Sequence, residues 1–252
     1  MLVFVAALER ELVPILPLLQ LERREQVKEW AVRWGTAGGT PVALVCCGMG
    51  RERAQAGARS ALHTCRAQGV IALGFAGAAS PRLAAGDVVL PEEVVADEEG
   101  LGPIRPDEEL LSRASSALES TPLQFHQGRL LTAAKALGAQ EKRSAGEGRH
   151  VSAVDMETYW IAREAREAGV PFLAVRAISD EMLDPVPDYR RLVDSTGRMR
   201  AASASWYLVT HPHMLRTLAS LGRKAGRASA SLGVFATSFL TTSPVPARGA
   251  RG

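Results

Sequence analysis

The sequence predicts an α/β fold, a three-layer αβα sandwich around a mixed central sheet. Three observations lead there. Short apolar runs that suit strands alternate along the chain with stretches of helical periodicity, as a layered α/β architecture requires. The 252 residues, 46% hydrophobic and 23% charged, are enough to bury one large core and are ordinary for a soluble globular chain. The stretch from Ala153 to Asp180 combines an amphipathic helix, a Gly169-Val170-Pro171 turn and an apolar run suited to a strand buried on both faces.

Taken in order, Leu2 to Leu8 is an apolar strand that passes into a helical pattern over Glu9 to Leu19, interrupted by Pro14 and Pro17. Trp30 to Trp34 and Val42 to Cys47 read as two strands joined by a hairpin at Gly38-Gly39. Gly48-Met49-Gly50 opens a helix over Arg51 to Gln68, with Ala54, Ala58, Ala61, Leu62 and Cys65 on its packing face. Val70 to Leu73 is a short strand that runs into Gly74-Phe75-Ala76-Gly77. A turn at Ala85-Gly86-Asp87 precedes a strand at Val88 to Leu90. Residues 97–106 are acidic and glycine-containing, as loops are, and Glu108 to Leu118 is helical. Residues 124–132 suit a strand, and Lys135 to Ser144 a helix. The helix of the 153–180 stretch covers Thr158 to Ala168, and its strand covers Phe172 to Ile178. Pro185 and Pro187 make residues 181–197 an irregular, lid-like segment, and residues 199–235 are helical by composition, punctuated by His211-Pro212-His213. The catalytic domain is expected to span residues 1–200, with 201–240 a basic helical extension of that domain and 241–252 a disordered tail.

Net charge is +3, and beyond Arg190 the only acid is Asp194. This basic end lacks interleaved aromatics, so nucleic acid is not an expected partner. MLVFVAAL has no basic lead and is cut by Glu9-Arg10-Glu11, so a signal peptide is not expected, and a cytoplasmic location is. Cys46, Cys47 and Cys65 show no metal spacing and read as buried reduced thiols; the five histidines form no metal set.

Chemistry is expected where polar groups end apolar strands, since open α/β sheets place ligands there. Asp155 and Glu157 flank Met156 at one such place, and Ser179-Asp180 stands at another. A carboxylate accepts well from the two adjacent hydroxyls of a ribose, and an aspartic acid held by Ser179 could give a proton to a leaving heterocycle. Glu11 has two readings: an acid favoured by the helix dipole, or a general base at the edge of the first strand. The glycine clusters at Gly48–Gly50 and Gly74–Gly77 let backbone N–H groups approach a ligand, but neither is a Walker or dinucleotide fingerprint.

Four blocks in order resemble the nucleoside phosphorylase/nucleosidase superfamily, in the branch of methylthioadenosine/S-adenosylhomocysteine nucleosidase. They are AALEREL at Ala6–Leu12, CCGMGRERA at Cys46–Ala54, LGFAGAASPRLAAGDVVLP at Leu73–Pro91, and AVDMET with VRAISDE between Ala153 and Glu181. The resemblance implies a phosphorylase/hydrolase-like fold and an adenosine-type nucleosidase that needs no metal or cofactor. It implies that Glu157 binds the ribose hydroxyls with Met156 against the sugar, that Asp180 beside Ser179 protonates purine N7, and that Glu11 positions or deprotonates water. Gly50, Gly74 and Phe75 would complete the substrate pocket. It also implies a homo-oligomer, a dimer in the simplest case.

The chain departs from that pattern in two places. Phe75 stands where hydrolases of this branch usually carry serine, and no aromatic ring stands near Ala136 to stack on the base. Arg51 and Arg53 keep open a phosphorylase with inorganic phosphate as co-substrate, and loss of catalysis would leave a nucleoside-binding protein. Lys142-Arg143, Pro185-Val186-Pro187 and the basic C-terminal region further resemble the hopanoid-biosynthesis-associated members, which implies an adenosylated hopanoid or another 5′-substituted adenosine as substrate. Leu215, Leu218, Leu221, Val234, Phe235 and Phe239, set among Arg216, Arg223, Lys224 and Arg227, would then form an interfacial helix at a membrane surface.

Overall fold

The computed structural model of the chain describes residues 1–185 and 214–242, with side chains in the last helix described from residue 219. Among these residues nine strands form one mixed sheet: β1 (Leu2–Ala6), β2 (Gln20–Val27), β3 (Trp30–Ala37), β4 (Thr40–Cys46), β5 (Gly69–Ala78), β6 (Val88–Ala96), β7 (Phe125–Thr132), β8 (Val151–Asp155) and β9 (Phe172–Asp180). Their order is β2-β3-β4-β1-β5-β8-β7-β6-β9. β9 also pairs in parallel with β5, so the last five strands close into a ring. β1, β4 and β5 run parallel, whereas β8 meets β5 antiparallel and only at Gly77 and Ala78.

Among the described residues six helices flank the sheet: α1 (Glu9–Leu12), α2 (Arg51–Cys65), α3 (Glu108–Glu119), α4 (Ala139–Arg149), α5 (Thr158–Glu167) and α6 (Met214–Thr241). The central strands send alternate residues to opposite faces, and both faces are apolar. Val3 and Val5 of β1 join one core with Ala54, Ala58 and Ala61 of α2 and Ile161, Ala162 and Ala165 of α5. Leu2 and Phe4 join the other, with Leu12 of α1, Leu118 of α3, and Leu232, Phe235 and Phe239 of α6. Two helical layers around one sheet give the three-layer sandwich, and doubly buried strands explain its continuous apolar runs.

Several elements differ from the sequence reading. Pro14 and Pro17 end α1 after one turn, and a 3-10 turn at Leu16–Leu18 replaces its continuation. β2 was not anticipated, because QLERREQV carries charge on both faces and lies exposed at the sheet edge. A charged edge is how a sheet avoids pairing with other chains. β8 is too short to show a pattern. α4 begins at Ala139, so Lys135–Leu137 remain loop. β5 does not stop at Leu73 but carries the Gly74–Gly77 cluster within the strand, because those glycines make room for side chains packed against the sheet.

The largest correction concerns the C-terminal region. Of the apolar residues expected at a membrane surface, Phe235 and Phe239 are fully buried and Leu221 nearly so, all facing protein. Arg113 of α3 stacks 4.4 Å over the Phe239 ring, and the Ser238 hydroxyl donates to the Ala117 carbonyl at 2.8 Å. The apolar stripe of α6 is spent on the sheet, with Val234 left exposed. The domain boundary at 200/201, most of the lid-like segment, His211, His213, the side chains of Leu215, Arg216 and Leu218, and the tail from 243 lie outside the described residues.

Candidate active site

The carboxyl ends of β1, β5, β8 and β9 converge on one cavity. Leu8 and Glu11 follow β1 and Met49 follows β4; Phe75 to Gly77 come from β5, Asp155 to Glu157 from the end of β8, and Ser179 and Asp180 from β9. Lys135, Ala136 and Leu137 of the loop before α4, with Lys142 on that helix, complete the wall.

Glu11 is 3% exposed. Oε2 accepts the Leu8 N–H at 2.7 Å, which caps α1 from within its own first turn. Oε1 crosses to β5 and accepts the Phe75 N–H at 2.8 Å. Burial raises its pKa, while the Arg176 guanidinium and the two N–H groups work in the opposite direction. Gly74 permits this approach, because a Cβ there would fall 2.1 Å from Arg176 Nη1 and 2.7 Å from Glu11 Oε1.

The paired acids after β8 divide. Asp155 turns inward: its oxygens accept the Thr132 hydroxyl at 2.6 Å and the Thr158 N–H at 2.9 Å, and lie 2.9 Å from Arg176 Nη2. It thus fastens the start of α5 to β7 and β9. Glu157 instead presents its carboxylate at the cavity wall. Its Oε1 accepts the Gly50 N–H at 2.7 Å, and its other oxygen takes no hydrogen bond from the described residues. Burial first, and then the negative charge of Asp155, push its pKa up to about 8.

Asp180 sits at the end of β9 with a donor on each oxygen. The Ser179 hydroxyl lies 3.0 Å from Oδ1, and Lys142 Nζ lies 2.6 Å from Oδ2. Gly77 leaves the space, since a Cβ there would meet Oδ2 at 2.7 Å.

Of the residues singled out in the sequence, Glu11, Phe75, Met156, Glu157, Ser179 and Asp180 meet at this cavity. Gly50 and Gly74 do not line it; they act through the carboxylates they admit or hold. Phe75 turns its ring toward the α3 and α6 side, under the Arg10 guanidinium at 5.1 Å. Two residues that shape this site were given no role in the sequence reading. Arg176 had one visible signal, being the only charge in the apolar run from Phe172 to Ile178. Lys142 appeared only within the Lys142-Arg143 pair of the closer resemblance, since nothing in a surface-like helix marks one lysine for complete burial.

The remaining candidates are occupied elsewhere. Arg51 pairs with Glu98 at 2.6 Å and stacks over Trp160, and Arg53 bonds the Cys47 carbonyl and stacks over Trp30. Cys46, Cys47 and Cys65 are free thiols; burial raises the Cys46 pKa to about 11, so that thiol is inert as a nucleophile at neutral pH.

A family model described as the phosphorylase superfamily matches residues 2–205. The chain is 30% identical over 195 residues to a 5′-methylthioadenosine/S-adenosylhomocysteine nucleosidase of Maridesulfovibrio salexigens, covering 71% of this chain and 84% of the relative. Its fold is shared with the nucleosidase of that name from Neisseria meningitidis, solved with methylthio-immucillin-A: TM-score 0.76 at 17% identity, over 96% of this chain and 99% of the other. It is likewise shared with futalosine hydrolase of Helicobacter pylori, at TM-score 0.71 and 17% identity over 93% and 96% of the two chains.

Proposed function

The chain belongs to the phosphorylase superfamily, and we propose that it is a purine nucleosidase, cleaving the N-glycosidic bond of an adenosine-type nucleoside with water. One observation carries the reading: carboxylates from three separate parts of the chain, Glu11, Glu157 and Asp180, meet at a single cavity. Breaking a C1′–N9 bond builds positive charge on the ribose and negative charge on the base. Glu157, with one oxygen free of donors among the described residues, suits the ribose hydroxyls. Asp180, at the end of β9, is the group assigned to protonate purine N7. Glu11, whose ionised form Arg176 favours and which two backbone N–H groups fix in place, suits the attacking water.

Water is favoured over phosphate because Arg51 and Arg53 are tied to Glu98, Cys47 and two tryptophans, and no arginine lines the cavity among the described residues. A mere nucleoside binder would have no use for a carboxylate poised beside the base. The cavity wall is apolar at Leu8, Met49, Phe75 and Leu137, which supports a hydrophobic 5′ substituent, in keeping with the adenosylated hopanoid that the closer resemblance implies. A homodimer is proposed on the resemblance and a cytoplasmic location on the N-terminal sequence; light scattering coupled to size exclusion reads the assembly.

The direct test incubates the protein with adenosine, inosine, 5′-methylthioadenosine and longer 5′-alkylthio adenosines, with and without phosphate. Free base with ribose in both conditions supports the reading. Ribose 1-phosphate formed only with phosphate present makes the enzyme a phosphorylase, and no base from any nucleoside refutes catalysis.

A further inference from the structure

Lys142 is the feature that the nucleosidase reading leaves unused. It is fully buried on α4, where an ammonium is costly to desolvate. Its Nζ donates to Asp180 Oδ2 at 2.6 Å and to the Glu181 carbonyl at 2.7 Å. Lysine is a donor only, so the Asp180 oxygen that faces it must accept. A carboxyl group with an ammonium on one oxygen and a hydroxyl on the other rests as a carboxylate, and a carboxylate has no proton of its own to give.

Within that reading, we propose that the proton delivered to the leaving purine is held by the Lys142–Asp180 pair rather than by Asp180 alone, with Lys142 acting through Asp180. As the C1′–N9 bond breaks, its electron pair moves onto the purine. Asp180 Oδ2 passes a proton to N7 while Nζ supplies one to Oδ2, leaving a neutral amine beside a carboxylate. The water oxygen bonds C1′ and its proton goes to Glu11. Glu11 then returns that proton to solvent, and the amine takes one up, which closes the cycle.

The other charges facing the pair are accounted for. On the far side of Glu181, Lys224 of α6 bridges the Glu181 and Asp184 carboxylates at 2.8 and 2.6 Å. Lys135 of the α4 loop is paired with Glu141 at 2.7 Å. Across the cavity stand Glu11, Glu157, Asp155 and Arg176, the last two paired with each other. Lys142 is therefore the ammonium in direct contact with the Asp180 carboxylate.

The pH profile of kcat/KM separates this role from a merely structural tie between α4 and β9. A pair that contains an ammonium keeps one proton into the lysine range, near 10, whereas a carboxyl alone loses it several pH units earlier. In Lys142→Met the alkaline limb is expected to fall by about two pH units or more. In Lys142→Arg the limb is expected to stay at or above that of the wild type, with turnover lowered at least about tenfold because a guanidinium does not release its proton. A uniform loss at every pH, with the limb unmoved in Lys142→Met, or a lowered limb in Lys142→Arg, overturns the proposal. If Lys142→Met does not fold, ε-15N-lysine NMR of the wild type decides: a protected ammonium that depends on Asp180 and persists at pH 9 supports it, and a neutral amine at pH 7 overturns it. Wild-type protein that releases no base refutes the nucleosidase reading and this inference together, whereas release with an unmoved limb refutes this inference alone.

Discussion

Replacing Glu157 by glutamine is expected to stabilise the protein in alkaline solution while removing most of its activity. Glu157 is buried beside the buried Asp155, and its pKa stands at about 8 instead of the ordinary value near 4.3. The native state therefore holds a proton on Glu157 that the unfolded chain releases across the interval between those values. Stability contributed by this group is complete below about pH 4 and declines as pH rises toward 8. At roughly 1.4 kcal/mol per pH unit, the wild type loses on the order of 4–5 kcal/mol over that interval. Glutamine accepts the Gly50 N–H as well as the protonated acid can, but never ionises. At about 2–4 °C per kcal/mol for a chain of this size, Glu157→Gln should match the wild-type Tm near pH 5 and exceed it by roughly 10 °C near pH 9. Thermal unfolding followed by circular dichroism from pH 5 to 9 measures this. Parallel curves for the two proteins would refute the reasoning, because they would mean that Glu157 ionises equally easily folded and unfolded.

Other substitutions test the rest of the site. Asp180→Asn and Glu11→Gln should each lower kcat by about 10²–10⁴ with the fold retained, and near wild-type turnover in either assigns that role elsewhere. Gly74→Ala should cost several kcal/mol or prevent folding, since its Cβ would meet Arg176 Nη1 at 2.1 Å and both neighbours are buried; an unchanged denaturation midpoint would show that the Glu11–Arg176 packing is looser than described. Ending the chain before Met214 should leave insoluble protein, because Leu232, Phe235 and Phe239 would leave the core. A soluble, cooperatively folding truncation would return α6 to the status of an appendage.

The reach of the sequence is clearest in the acids. Glu11, Glu157 and Asp180 stood out because each follows an apolar run at a strand end, a place where charge needs a reason. The same local logic made Phe172 to Ile178 a doubly buried strand and Thr158 to Ala168 a helix, since both periodicities are set by neighbours a few residues apart. It failed where two influences competed over distance. Asp155 and Glu157 look alike in sequence, yet one is consumed by Arg176 and Thr158 and the other faces the cavity. Residues 74–77 read as a loop because glycine is usually a turn residue, whereas here it is the absence of a side chain that a strand required.

By itself, then, the sequence determined the layered α/β pattern, the strand-end carboxylates and the family blocks around them. Tertiary structure alone decided that α6 is core, that Arg176 anchors the site, and that Asp180 carries a buried lysine. The physical reason is separation along the chain. Glu157 meets Gly50 across 107 positions, Phe75 meets Glu11 across 64, and Lys142 meets Asp180 across 38. No local periodicity encodes such pairs; they exist only once the sheet has brought its strand ends together.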